Sequence, residues 1–171
     1  SNTLARGMYT LMADIVKYFP SPEDCKIAGI NTKTNEIFQA DYDFAKAKSA
    51  FVFKTIVDPF IGKYSLIKVC SGVFKPDDMI YNLDKDVEEK VSKLYTLQGN
   101  KPIEVSELHA GDIGAIPKLT AARTGNSLST KANTIKYAMF DVSTPYTYMR
   151  YRPVNKADVD KISQSLQKMI A

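Results

Sequence analysis

Residues 50–126 alternate short strand-like runs with turn sequences, and no helical spacing interrupts them. The run 51–57 is rich in aromatic and β-branched residues and has the two-residue period of a strand. Further strands are predicted over 64–71, 79–81, 91–97 and 113–116, with turns at 58–63, 75–78, 99–102, 110–112 and 124–126. The 75–78 turn, Lys-Pro-Asp-Asp, is typical of type I. Short strands joined by tight turns predict an antiparallel barrel or sandwich, and a barrel is favoured because it removes exposed strand edges.

Amphipathic helices are predicted on both sides of this region. The first has an apolar face at helical spacing: Met8, Leu11, Met12, Ile15, Val16 and Phe19. Pro20 and Pro22 end it. The second follows a predicted strand at 146–151, has Asn155 as its N-cap, and carries Val159, Ile162, Leu166, Met169 and Ile170. Residues 29–49 are predicted to be a long loop or a weak hairpin. Because both apolar helix faces need a cover, we expect the chain to come from a longer protein.

The sequence lacks the motifs of nucleotide hydrolysis and of common enzyme sites. Gly62-Lys63 has no glycine at the upstream spacing of a P-loop, and Tyr64 stands where Ser or Thr would hold Mg²⁺. His109 is the single histidine, no nucleophile motif accompanies it, and it is predicted to be a surface or edge residue. Four carboxylates are interpreted as a solvated hairpin turn: Asp84, Asp86, Glu88 and Glu89. We therefore predict no catalytic, cofactor or metal site in this chain.

Charge and cysteine content set weaker limits. A net charge of +4 permits a phosphate-rich partner without requiring one. Cys25 and Cys70 lack the spacing of a zinc site, and we interpret them as buried or idle thiols of a reducing cytoplasm. The sequence contains neither an apolar run of about 20 residues nor a signal peptide, so we predict no membrane association and a cytoplasmic location.

One motif imitates a nucleotide-binding element. Asn155-Lys156-Ala157-Asp158 matches the Asn-Lys-x-Asp pattern with which GTPases recognise guanine. In those proteins the motif follows a buried strand and works beside a P-loop. Here it follows Arg-Pro-Val and opens a helix, so we interpret it as a helix cap.

Specific motifs occur in order along the chain. Residues 51–75 contain Asp-Pro-Phe-Ile-Gly-Lys and Val-Cys-Ser-Gly, and residues 110–116 read Ala-Gly-Asp-Ile-Gly-Ala-Ile. Residues 124–129 read Thr-Gly-Asn-Ser-Leu-Ser. Together they resemble the second domain of elongation factor G, whose last motif is Thr-Gly-Asp-Thr-Leu-Cys, so Asn126 and Ser129 depart from it. Residues 7–24, with Tyr-Phe-Pro-Ser-Pro at 18–22, resemble the last helix of the GTPase domain. Residues 148–170 resemble the start of the third domain, which accounts for the motif at Asn155.

The resemblance implies a mainly β fragment with three parts. Residues 1–28 would be the C-terminal helix of the GTPase domain, 29–145 the translation-factor-type β-barrel of domain II, and 146–171 the beginning of domain III. The parent would bind GTP and Mg²⁺ through its first domain and hydrolyse GTP on the ribosome to move messenger and transfer RNA. The barrel would have no reaction of its own. It would pack on the GTPase domain and domain III and dock on small-subunit ribosomal RNA.

RNA contact is expected from cations on the barrel, because phosphates attract mobile cationic side chains without base readout. The candidates are Lys54, Lys63, Lys68, Lys75, Lys118 and Arg123. Lys63 ranks first because the turn at Gly62 can bring it close to an RNA backbone. Asp58 and Pro59 are interpreted as turn-forming residues. Three tyrosines are interpreted as residues of core or inter-domain packing in preference to base stacking: Tyr146, Tyr148 and Tyr151.

Several alternatives remain open at this stage. The parent could be the main translocase, a divergent paralogue or a ribosomal protection protein of the tetracycline-resistance type, although Asp58-Pro59-Phe60 favours the elongation factor G branch. The chain could also be a stand-alone RNA-binding β-barrel, or a small enzyme with a cleft around His109. On the favoured interpretation, the chain alone neither binds nor hydrolyses GTP.

Overall fold

The computed structural model describes residues 7–21, 24, 27–58, 62–99, 101–138 and 144–170. In chain order its elements are α1 (Met8–Tyr18), β1 (Ala28–Asn31), β2 (Ile37–Gln39), β3 (Ser49–Asp58), β4 (Gly62–Ser71), β5 (Val73–Phe74), β6 (Met79–Asn82), β7 (Val87–Lys90), β8 (Leu94–Gln98), β9 (Lys101–Val105), β10 (Leu108–His109), β11 (Ile113–Pro117), β12 (Ser127–Ser129), β13 (Ile135–Tyr137) and α2 (Val159–Ile170). A 3₁₀ turn, Lys156–Asp158, precedes α2. The chain is mainly β, as the alternating pattern predicts.

Eight strands form one antiparallel sheet in the order β7-β6-β12-β3-β4-β11-β8-β9. Its centre is the β3–β4 hairpin, whose register shifts between Val52 and Lys54 through a bulge. Such an irregularity bends a strand and increases its twist, which lets a wide sheet curl. In the described part of the chain no ladder joins the outer strands β7 and β9.

One apolar core fills the curled sheet. Its residues come from across the sheet: Val52, Ile67, Ile80, Leu94, Ile116 and Leu128. The short antiparallel β5–β10 pair adds Phe74 and Leu108 to the same core. Along β4, Ile67 and Val69 face this core, whereas the alternate residues Leu66 and Cys70 belong to two further clusters on the other face. The structure is therefore the antiparallel β-barrel that the strand and turn pattern predicts.

A separate three-stranded sheet, ordered β13-β1-β2, packs against the barrel. Its β1–β2 hairpin lies in the segment predicted to be a loop or a weak hairpin, so the hairpin interpretation is confirmed. Hydrogen bonds attach β13 to the barrel. The Tyr137 backbone N–H donates to Ser127 Oγ over 2.9 Å, and the Tyr137 hydroxyl lies 2.6 Å from Ser49 Oγ. Ser127 lies in the preceding strand β12, whereas Ser49 lies in β3, so the second contact joins strands that are 88 residues apart in sequence.

The two helices are confirmed, but no described side chain of α1 is buried. The barrel therefore does not bury the apolar face of α1. The predicted strand at 146–151 is wrong, because residues 144–153 contain no strand. Core packing of the tyrosines is also wrong, since Tyr146 and Tyr148 are 91% and 87% exposed and Tyr151 is exposed too; their inter-domain packing stays a prediction. Aromatic residues alone did not identify a strand, because nothing in the barrel pairs with this segment.

Some turns and strand bounds differ from the predictions. Residues 87–90 form β7, where we predicted only a solvated turn, and β9 begins at Lys101, inside the predicted 99–102 turn. The 75–78 turn exists, with the Asp78 N–H donating to the Lys75 carbonyl. Asp77 has φ of 70°, however, which a type I turn does not allow at that position. The middle of the predicted 58–63 turn, residues 59–61, lies outside the described residues, and so do Cys25 and the proposed role of Pro59.

We expect stability to fall at alkaline pH because of Cys70, a free and buried thiol. Burial raises the pKa of Cys70 from its ordinary value of 9.0 to about 11. The unfolded thiol ionises first as pH rises, so stability is fully present below pH 9 and declines through pH 11. The free energy of unfolding should fall by about 2 kcal/mol across this window.

Urea unfolding of the wild type and of Cys70→Ala at pH 8, 9, 10 and 11 measures this contribution. The difference between the two proteins reports the thiol together with its coupling to neighbouring groups. Tyr137 is such a neighbour, because its pKa is raised first by burial and then by Cys70. Parallel stability curves for the two proteins would contradict the expectation.

Candidate nucleic-acid interface

The segment that joins β11 to β12, here called the basic loop (residues 118–126), has one side anchored in the barrel core. Leu119 and Ala122 are buried and belong to the main core cluster. Lys118, Thr120 and Arg123 lie on the exposed side of the same loop. This alternation holds the backbone against the barrel and directs two cations outward. Lys118 has φ of 62°, a conformation that a non-glycine residue keeps only when its surroundings hold it there.

Glu89 of β7 binds the backbone of the basic loop. Its Oε1 accepts hydrogen bonds from the Thr120 N–H at 2.6 Å, the Thr120 hydroxyl at 2.8 Å and the Ala121 N–H at 3.0 Å. Its Oε2 is buried and makes no hydrogen bond in the described part of the chain. The solvated-turn interpretation is therefore wrong for Glu89. The sequence gives only a weak signal for this role. In a strand, Glu89 would point to the same face as Val91, two residues later, which is buried.

Lys63 supports the loop from the opposite side. Its Nζ donates to the Ala122 carbonyl over 2.6 Å, and its own carbonyl accepts the Lys118 N–H at 3.0 Å. Burial lowers the pKa of Lys63, the nearby positive charge of Arg123 lowers it further, and the negative charge of Glu89 opposes both. The candidate ranked first from the sequence thus has its ammonium group bonded to the loop backbone. Its direct contact with RNA stays a prediction.

The end of the basic loop forms a hydrogen-bonded turn around Asn126. The Asn126 side-chain carbonyl accepts the Arg123 N–H at 2.9 Å and the Asn82 side-chain amide at 3.2 Å. Gly125 has φ of 91°, which a side chain would oppose, and its N–H donates to the Val52 carbonyl at 2.7 Å. The turn predicted at 124–126 is confirmed, and it fixes the backbone position of Arg123.

Four of the six predicted RNA-binding residues lie at or beside this loop. Lys118 and Arg123 are part of it, and Lys63 binds it. Lys54 is exposed on β3 next to Thr55, whose hydroxyl accepts a hydrogen bond from Thr124. The structure therefore brings Lys63, Lys118 and Arg123 together at one end of the barrel. The Thr124–Thr55 bond does not place the Lys54 side chain with them, because consecutive side chains of a strand point to opposite faces.

The other two candidates lie elsewhere. Lys68 is half-buried on β4 with its Nζ 5.2 Å from the centre of the Tyr42 ring, beside an apolar cavity of about 460 Å³. Lys75 follows β5, beyond the far end of β4, and its Nζ lies 3.3 Å from Glu107 Oε2. A ten-residue strand is roughly 30 Å long, so the two ends of β4 cannot contribute to one small patch.

The described residues hold no arrangement suited to acid–base or metal chemistry. His109 is partly exposed, as predicted, and its Nε2 lies 3.2 Å from Glu107 Oε1 beside the Phe44 ring. Among the described residues no three His, Cys, Asp or Glu side chains are placed to hold a metal ion. The cavity beside Lys68 has an apolar lining that includes Phe51, Phe53 and Tyr137. It offers no convergent polar groups for a reaction.

The basic loop and the strands around it match a described protein family. Residues 47–131 match the family model "Elongation factor G domain 2". Residues 47–131 belong to the elongation factor G domain 2 family. The match includes β3 to β12 and the whole basic loop. The resemblance seen in the sequence motifs is thereby confirmed, and this domain 2 is the barrel.

The similarity to known proteins extends beyond residues 47–131. Elongation factor G of Chlamydia caviae is 32% identical over 165 residues, which are 96% of this chain and 24% of the relative. The chain thus spans about a quarter of that protein's length. A crystal structure of a protein from Thermus thermophilus has the same fold, with a TM-score of 0.59 and 22% identity over 95% of this chain and 22% of that one. In the described part of the chain no helix is both long and apolar enough to span a bilayer.

Proposed function

We propose that this chain is a non-catalytic part of an elongation factor G-like translational GTPase, and that its basic loop docks on small-subunit ribosomal RNA. The observation that carries the proposal is the basic loop itself. The side chains of Lys118 and Arg123 extend from a backbone that the core and Glu89 hold in place. Two cations on a fixed backbone suit phosphate contact, which needs position and charge but no base readout.

The parent's activity is part of the same proposal. It binds GTP and Mg²⁺ through a separate GTPase domain, hydrolyses GTP on the ribosome in the cytoplasm and uses the cycle to drive translocation. Residues 1–28 are the end of that GTPase domain, 29–145 the barrel and 146–171 the start of domain III. The exposed apolar residues of α1, among them Leu11 and Met12, support this division because they suit packing against another domain.

The share of the chain that matches elongation factor G favours this parent over a stand-alone RNA-binding barrel. Elongation factor G of Chlamydia caviae matches 96% of the chain, including the helices outside the barrel. A ribosomal protection GTPase is a second source of such a barrel. A translocation assay on the full-length parent distinguishes the two, because only a translocase advances messenger and transfer RNA.

Replacing the two outward cations should weaken ribosome binding. We expect Lys118→Ala/Arg123→Ala to bind purified small ribosomal subunits about 30-fold more weakly than the wild-type chain at low salt. Each lost phosphate contact also removes counterion release, so the dependence of binding on salt should become shallower by roughly one to two units in log–log slope. Filter binding or light scattering across a salt series measures both effects.

The matched control removes the same charge elsewhere. Lys101 and Lys131 are exposed and lie outside the basic loop, so Lys101→Ala/Lys131→Ala has the same net charge as the test variant. It should keep an affinity within about 3-fold of the wild type. Equal loss in the two variants would mean that binding follows net charge and not the basic loop, which would remove the basis of the docking proposal.

A further inference from the structure

Glu89 lies far in sequence from the loop that it holds. The Thr120 and Ala121 amides and the Thr120 hydroxyl all donate to its Oε1, across a separation of 31 or 32 residues. Glu89 is in β7, at the outer edge of the eight-stranded sheet, whereas the basic loop follows β11 on the other side of the sheet centre. The loop then crosses to β12, on the same side of the sheet centre as β7, so the carboxylate binds the middle of a loop that passes from one side of the sheet to the other.

The bonded amides lie between the two outward cations. Lys118 comes directly before Leu119 and Thr120, and Arg123 comes two residues after Ala121. The backbone N–H groups of Lys118 and Arg123 have their own partners, the Lys63 carbonyl and the Asn126 side chain. Glu89 thus binds the middle of a loop whose two ends are already fixed.

We propose that Glu89 is a positioning residue that holds the basic loop in the conformation in which Lys118 and Arg123 meet RNA phosphates. This inference rests on the proposed function. It means that an acidic residue strengthens the binding of a polyanion. Simple electrostatics predicts the reverse, because removing a negative charge beside a cationic surface should strengthen attraction to phosphate. The two accounts therefore differ in the sign of the effect.

Two substitutions separate these accounts in the 171-residue chain. Glu89→Ala removes the acceptor and the charge, whereas Glu89→Gln removes the charge and keeps an acceptor oxygen for the loop amides. We expect Glu89→Ala to bind small ribosomal subunits about 10-fold more weakly than the wild type, and Glu89→Gln to stay within about 2-fold of it. If Glu89 acts only as a negative charge, both variants bind more tightly.

Amide hydrogen exchange in the free chain directly measures how well the loop amides are protected. We expect Glu89→Ala to speed exchange of the Thr120 and Ala121 amides by about 10-fold or more, and Glu89→Gln to keep most of the protection. The Val69 amide, which donates to the Asp112 carbonyl away from the loop, serves as the internal reference for global stability. Faster exchange at Thr120 and Ala121 alone identifies a local effect.

The outcomes are distinguishable from failure of the proposed function. Weaker binding and local loss of protection in Glu89→Ala, both restored in Glu89→Gln, support the inference. Unchanged exchange, or unchanged or tighter binding by Glu89→Ala while Lys118→Ala/Arg123→Ala binds weakly, overturns the inference alone. A wild-type chain with no affinity for small subunits overturns the proposed function and the positioning role together.

Discussion

Phe74→Ala is expected to lower the free energy of unfolding by about 3–5 kcal/mol, the range found for removal of a fully buried aromatic side chain. Phe74 is 0% exposed, lies in the two-residue strand β5 and packs in the main core. It pairs with Leu108 of β10, so its ring fills a space between the short β5–β10 pair and the eight-stranded sheet. Two short strands offer little backbone that can move inward and fill the cavity.

Met79→Ala is the control for this variant. Met79 is also a large apolar residue but is 54% exposed, so its removal should change stability by less than about 1 kcal/mol. Urea unfolding followed by circular dichroism measures both variants. A similar small change for Phe74→Ala would show that the β5–β10 pair is not packed as described.

Gly72→Ala is expected to lower the free energy of unfolding by about 3 kcal/mol. Gly72 has φ of 73°, which costs an L-residue roughly 1–2 kcal/mol. A Cβ there would lie 2.8 Å from Lys48 Cα and 2.9 Å from the Lys46 carbonyl oxygen. Both are backbone atoms, so the clash cannot be relieved by turning a side chain, and overpacking adds about 1–3 kcal/mol. The Gly72 N–H and carbonyl are also hydrogen-bonded, to Asp43 and Ala110, which prevents easy movement.

Gly62→Ala separates the two causes. Gly62 has φ of 90°, but a Cβ at this position would meet no atom of the described residues within 4 Å, so this variant carries the conformational cost without a clash against them. We expect it to lose about 1 kcal/mol, because the restriction of the unfolded chain offsets part of the cost. Thermal and urea unfolding compare the two variants directly. Equal losses would show that the backbone conformation, and not the close approach to Lys46 and Lys48, accounts for the need for glycine at position 72.

Much of the barrel was predictable because its signals are local. The run that became β3 has a two-residue period, and the 110–112 and 124–126 turns carry glycine at positions with positive φ, at Gly111 and Gly125. Short strands with weak patterns were missed, among them β5, β10 and β13. Each of these has only two or three residues and exists because a distant strand pairs with it. A local pattern of that length contains too little information to predict pairing.

The candidate site was predictable in part for the same reason. Residue type identified the cations, and four of the six lie at or beside the basic loop. Residue type did not reveal that the Lys63 ammonium group binds the Ala122 carbonyl, or that Lys75 lies beyond the opposite end of β4 beside Glu107. It also placed Glu89 in a solvated turn. Exposure and hydrogen bonding depend on neighbours in space, which the spacing of charges along the chain does not specify.

The sequence by itself determined the β-rich class, most of the turns, the two terminal helices and the family, since each depends on residues close together in the chain. Only the tertiary structure decided which cations share a surface and what holds them there. The reason is physical: the contacts that shape the basic loop join residues far apart in the chain, such as Glu89 with Thr120, 31 positions away, and Lys63 with Ala122, 59 positions away. Such contacts form only when the sheet has curled and the core has packed.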